Sequence, residues 1–246
     1  MKIKRYIQIE ERRHAAYEKK FTALIRKALM SQGEAFIKTK ELNNSMFDVL
    51  SDVYEIVMKD YLKRQWQQLE ANNIKKETNF FLDTWAKWLK DFTGKELANK
   101  VTNIDETTRE LLRTQVVEGA KLGETVTAIN ARIRKTMTAS TQRARMIART
   151  EVGEAVNKAK TKSSDDWEEE TGTKLGKLWI HRGAKDPRDW HMSLDTGIAI
   201  PKDDYFTVTN SQTGESDRMM YPHDSSASAG NVINCGCQII YTRLKT

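Results

Sequence analysis

The chain is poor in the residues that build disulfide frameworks and rigid turns: 246 residues contain two cysteines, three prolines and four histidines. The cysteines, Cys235 and Cys237, are spaced Cys-x-Cys. Next-but-one cysteines pair only with strain, so a disulfide-stapled secreted domain is excluded. No run approaches 18 uncharged apolar residues, and the opening Met1-Lys-Ile-Lys-Arg-Tyr6 lacks the apolar stretch of a signal peptide. Neither a membrane span nor secretion is expected. Phosphate loops, nucleophile elbows and His-Glu-x-x-His zinc helices are also missing, which removes the commonest signatures of nucleotide, ester and peptide chemistry.

What is there is charge. Charged residues make up 30% of the chain and hydrophobic ones 39%, with a mean hydropathy of -0.67, as expected for a soluble protein with much exposed surface. The formal net charge is +7 and the pI about 9.2, which permits contact with a polyanion through counterion release. The basic residues alternate with acidic ones along helical stretches, however, and that pattern suits solvated helix faces.

Helical periodicity dominates the first 170 residues. Residues 8–40 carry a loose apolar stripe (Ile9, Ala16, Phe21, Leu24, Ile25, Ala28, Leu29), and 41–70 a wider one from Met46 to Leu69. In 78–92, Trp85 and Trp88 share a face with Phe81 and Phe92, which predicts a helix buried in a bundle rather than a ligand box. Three more helices are predicted. One covers Ile104–Val117, one starts near Thr125 with Val126, Ile129, Ile133 and Met137 on its stripe, and one runs from about 141 to 169 with small residues at Ala144, Ala148, Ala155 and Ala159.

After Gly172 the texture changes. Short β-like runs at 177–181, 197–200, 205–209, 218–221 and 237–241, split by turns, predict a small antiparallel sheet, with a helical turn or two near 186–194. The expected fold class is therefore α+β: a long, mainly helical N-terminal body followed by a small antiparallel β-rich module. The predicted divisions are 1–100, 101–172 and 173–246.

Several pieces of the second half occur in a recognisable order: Ile147-Ala-Arg-Thr-Glu-Val-Gly-Glu-Ala-Val-Asn157, Lys177-Leu-Trp179, Arg188-Asp-Trp-His191, Leu194-Asp195 with Gly197, Tyr221-Pro222 with Asp224, and Val232-Ile-Asn-Cys-Gly-Cys237. Over roughly residues 100–244 this order and spacing resembles the phage Mu F-like minor head morphogenesis proteins. The resemblance implies a minor capsid protein of a tailed phage or prophage, located in the virion and, during assembly, in the host cytoplasm. Implied partners are portal protein, major capsid protein or both, near the portal vertex, with packaged double-stranded DNA as a second contact and no membrane. It also singles out Arg149 and Glu151, Arg188 and His191, Asp195, Asp224, and Asn234 with Cys235 and Cys237. Relatives often carry glycine where His223 stands, and some look like zinc proteins with two more cysteine or histidine ligands, at positions held here by Arg188 and Val232.

For the residues themselves three readings stand. In the first, no catalysis and no cofactor are called for. Cys235 and Cys237 pack together, His191 braces the turn that Asp195 and Gly197 complete, and Arg149 and Glu151 reach from their helix to pin the module. In the second, zinc takes His191, Cys235 and Cys237, with His223 or His181 as the fourth ligand. In the third, a metal-dependent nuclease uses His191, Asp195, His223 and Asn234; against it, no histidine follows Asn234 on a helix. The first two require His191, Asp195, Cys235 and Cys237 to converge.

Overall fold

A computed structural model describes residues 3–70, 79–182 and 187–244. Six helices come first: α1 Ile3–Thr39, α2 Ser45–Glu70, α3 Asn79–Lys95, α4 Leu97–Lys121, α5 Val126–Thr138 and α6 Thr141–Thr171. Then follow β1 Leu175–His181, the turn α7 Asp189–Met192, β2 Ile200–Pro201, β3 Phe206–Thr209, β4 Ser216–Met219, the turn α8 Ala229–Val232 and β5 Cys237–Arg243. The class is α+β. No described helix is long and apolar enough to cross a membrane.

The helix limits follow local chemistry. Thr125 caps α5, its hydroxyl accepting from the Ala128 N–H at 3.2 Å. Gly172, at φ 64°, ends α6 in the left-handed conformation that lets its N–H return to the Glu168 carbonyl. α4 begins seven residues before the predicted Ile104, since Leu97 and Val101 continue its buried stripe upstream.

α6 is the axis of the molecule. α1 and α2 pack along it, where Ala144, Ala148, Ala155 and Ala159, all buried, allow close approach. One apolar core runs from Phe21 of α1 through Tyr54, Trp66 and Trp85 to Trp167 and Leu175, so it crosses the predicted division at residue 100. Trp85 and Phe92 are buried and Trp88 packs against this core; the side chain of Phe81 lies outside the described residues. Ile9 and Val126, expected on buried stripes, are exposed. Around Ile9 the buried face of α1 carries Tyr6, Glu10 and His14 instead, so Ile9 points outward.

The single sheet expected from the sequence is two. One has the order β2-β1-β5, antiparallel throughout, with Trp179 opposite Ile239 and His181 opposite Cys237. The other is the β3-β4 hairpin. The predicted run at 197–200 contributes only Ile200 to β2. Trp179, Cys237, Ile239 and Tyr241 share one face of the larger sheet and pack on Phe206, Val208 and Met219 of the hairpin. Leu178, Ile180 and Ile240 share the other and meet Tyr6 of α1. Alternation along a strand places the two sets on opposite faces, so both faces are covered.

β5 is an edge strand, and side chains of the helical body satisfy its outer side. The Ile239 N–H donates to Asn157 Oδ1 at 2.9 Å, and its carbonyl accepts from Lys160 Nζ at 3.3 Å. Two residues on, the Tyr241 carbonyl accepts from Gln68 Nε2 at 3.3 Å. An edge that would otherwise offer free backbone groups is closed by α2 and α6.

Candidate functional site

The side chains of His191, Cys235 and Cys237 come together from three places: the turn α7, the loop after α8 and the first residue of β5. His191 Nδ1 lies 3.4 Å from the Cys235 sulfur and 3.9 Å from the Cys237 sulfur, and all three donor atoms lie within 4.8 Å of one another. They are buried, at 2%, 1% and 2% exposure. As the predicted run at 237–241 has it, only Cys237 is on a strand, β5; Asn234, in the left-handed conformation at φ 58°, turns the chain so that Cys235 arrives from the loop.

The tautomer of His191 is fixed by its neighbours. Asn231 donates through Nδ2 to Asp217 Oδ2 at 2.8 Å, so its Oδ1 faces the other way and accepts from Trp190 Nε1 at 2.8 Å. His191 Nε2, 3.2 Å from that same oxygen, therefore carries the proton and donates. The Nδ1 lone pair is left aimed at the two sulfurs. The Cys235 thiol is held well below its usual range, above all by a hydrogen bond from Cys237 and also by the nearby His223, although burial opposes this. Cys237 is pushed up by the same hydrogen bond and by burial.

The remaining sequence candidates take separate places. Asp195 is exposed and stands outside the trio. Its Oδ2 accepts from the His181 N–H at 2.9 Å, on the strand position facing Cys237. The expected four-residue convergence is thus a three-residue cluster with Asp195 behind it. Arg188 donates to the Ile233 carbonyl at 2.7 Å. Asp224 is buried and shapes its turn, accepting from the Met220 N–H at 2.9 Å and the Ser226 hydroxyl at 2.7 Å. Arg149 Nη1 reaches Asn234 Oδ1 at 3.4 Å, and the Asn234 N–H donates to Thr150 Oγ1 at 2.9 Å. Glu151 does not reach the module. It faces inward, accepting from the Tyr54 hydroxyl at 2.6 Å, because its position on α6 points at α2.

His223 is fully buried at φ 66°, a left-handed conformation that suits glycine better than histidine. Its ring presses on α6 at Gly153, where a Cβ would stand 2.4 Å from Nε2. The ring acts on the Cys235 thiol, yet among the described residues neither ring nitrogen has a hydrogen-bond partner, and His223 falls outside the mutually close set. His181 also lies outside it.

Asn157, Lys160, Glu18 and Arg182, which the sequence reading did not single out, hold the module to the helices. Asn157 bridges Ile239 and, through Nδ2, the Pro222 carbonyl at 2.7 Å. Lys160 pairs with Glu10 of α1 at 3.1 Å, both 1% exposed. Glu18 of α1 accepts from Arg182 at 2.8 Å and faces Arg149 at 3.4 Å. The available signal was a run of polar residues on α6 at helical spacing (Thr150, Glu151, Glu154, Asn157, Lys160), all buried.

A tetrahedral zinc ion sets its nitrogen and sulfur ligands about 3.6 Å apart. The distances of 3.4 and 3.9 Å from His191 Nδ1 fit that spacing, and the hydrogen bond from Nε2 to Asn231 is the outer support that metal-bound histidines commonly have. Three ligands fit, and no fourth joins them among the described residues.

Comparison with known proteins supplies the context. Residues 110–240, more than half of the chain, match the family described as Phage Mu protein F like protein. The chain is similar to the uncharacterized protein YqbB of Bacillus subtilis (strain 168), with 30% identity over 152 residues, or 61% of this chain and 46% of the relative. The match thus spans less than half of that relative's length. No solved structure matches. The cluster, the Arg149 to Asn234 contact and the Asn157 bridge all fall inside the matched segment, and the chain belongs to the Phage Mu protein F like family of phage head morphogenesis proteins.

Proposed function

We propose that this chain is a minor structural protein of the phage head that acts by binding, with portal or major capsid protein as its partner and packaged double-stranded DNA as a second contact. The observation that carries the reading is the burial of the trio. His191, Cys235 and Cys237 have almost no exposed surface, which suits a fastening of the start of the module to its last strand. The nuclease alternative needs a base and a metal open to water and phosphate. His191 is enclosed and Asp195 faces a backbone amide, and the geometry gives that alternative no support. The net charge of +7 supports DNA contact. Cross-linking of assembled heads followed by mass spectrometry tests the binding reading: cross-links from this chain to portal or capsid subunits are expected, and a chain present in heads but linked to neither would overturn it.

Zinc at the trio is a second reading with its own observation, the His191 lone pair aimed at two sulfurs. It needs a fourth ligand, which His223 would supply by turning its buried, unpartnered ring. In the metal-free reading the Cys235–Cys237–His191 hydrogen bonds are complete in themselves. Elemental analysis of the purified full chain separates them: one zinc per chain establishes the metal staple, and no zinc with two free thiols titrated after unfolding establishes the metal-free one.

A further inference from the structure

Between α4, α6 and the module's segment 225–233 lies a cleft of about 610 Å³. Its floor carries Glu151 and Glu154, three residues apart on α6 and 7% and 1% exposed. Glu151 Oε2 takes the Tyr54 hydroxyl at 2.6 Å. Glu154 Oε2 takes the Lys100 ammonium, which also stands 3.9 Å from Glu151. Two carboxylates therefore share one ammonium, and the buried Glu154 Oε1 has no hydrogen-bond partner among the described residues. Burial raises the Glu151 pKa, with the neighbouring Glu154 adding to the shift and Lys100 opposing it.

The other cations at the cleft are engaged. Arg143 donates to the Ile104 carbonyl and the Thr108 hydroxyl, at 3.0 and 2.9 Å. Lys158 binds Glu96 at the rim. The mouth is apolar: Met146 is 39% exposed and Ile233 41% exposed, with Ile147 and Val232 behind them. A site with an unpartnered carboxylate oxygen at its floor and apolar side chains at its mouth has a definite complement. A bare polyamine leaves the apolar mouth uncovered.

We propose that this cleft receives a lysine or arginine side chain from an extended segment of a partner polypeptide, the base reaching Glu154 while apolar neighbours lie on Met146 and Ile233. That the partner is a particle protein rests on the proposed function; that the cleft takes a base does not. The cleft joins α6 to the module, so an occupant also bridges those two parts.

The test uses the full chain and two blocked peptides, acetyl-Ala-Val-Lys-Val-Ala-amide and the same peptide with norleucine for lysine, followed through the methyl signals of Met146 and Ile233. The lysine peptide is expected to saturate both signals with at least about tenfold tighter binding than the norleucine peptide. Glu154→Gln should erase that preference, and Ile233→Asp, on the exposed rim, should weaken both peptides with Tm unchanged. Equal binding of the two peptides, no saturable shift, or a preference that survives in a folded Glu154→Gln chain would each overturn the proposal. No particle protein takes part, so a failure here leaves the head-assembly reading standing, and absence of the chain from particles leaves the cleft's preference standing.

Discussion

Asn157 of α6 stands against Ile239 of β5 as a substitute strand: its Oδ1 accepts the Ile239 N–H at 2.9 Å, and its Nδ2 donates to the Pro222 carbonyl at 2.7 Å. Two separate segments of the module thus depend on one fully buried amide. Asn157→Ala leaves two buried backbone groups without partners and should destabilise the chain by about 2–4 kcal/mol. Urea unfolding measures it; a loss under about 1 kcal/mol would show that water replaces the amide at no great penalty.

Lys160 and Glu10 form a buried pair, and burial holds the Lys160 pKa down while Glu10 opposes the shift. Lys160→Met alone should cost about 3–5 kcal/mol, because Glu10 is left charged and buried, while the double change with Glu10→Leu should recover most of it. A double-mutant cycle reads the coupling. Additive losses would mean that the pair is not formed in solution.

Lys177 is fully buried, donates to the Met220 carbonyl at 2.9 Å, and has its pKa lowered to about 8, mainly by burial. An unfolded lysine titrates near about 10.4. Between these values the unfolded chain binds the proton and the folded chain does not, so this group's contribution to stability rises as pH climbs from about 8 towards 10. Below about 8 both states are protonated and its contribution is flat. Denaturation midpoints across this range should rise in the natural chain, and the slope should shrink in Lys177→Met. An identical slope in the variant would refute the assignment.

Gly153 has no room for a side chain, since a Cβ would stand 2.4 Å from His223 Nε2. Gly153→Ala should destabilise by about 1–3 kcal/mol by pushing His223 out of its pocket. His223→Gly should relieve most of that loss, because glycine suits the left-handed backbone at 223. Thermal unfolding of the two single variants and the double decides it; no relief in the double would place the strain elsewhere.

The α6 stretch and the trio were legible in the sequence for different reasons. Helices announce themselves through local 3.6-residue periodicity, so α1 to α6 were found with only their ends misplaced, and the early start of α4 at Leu97 came from a stripe too short to read upstream. His191, Cys235 and Cys237 were legible because scarce, chemically distinctive residues stand out. Asn231 and Asn157 were not, because their roles come from partners 40 and 82 residues away, and an asparagine looks the same in a loop or a clamp. The partition into two sheets was hidden too. It rests on the long-range pairing of β1 with β5, which alternation within a strand does not specify.

The proposed role as a structural part of the phage head is tested by quantitative mass spectrometry of purified, nuclease-treated particles from the encoding phage or induced prophage. The chain is expected at a few copies per particle, retained when His191→Ala or Cys235→Ser variants still fold. Particles that assemble fully and contain none of it, together with metal-dependent DNA cleavage that His191→Ala abolishes, would contradict it.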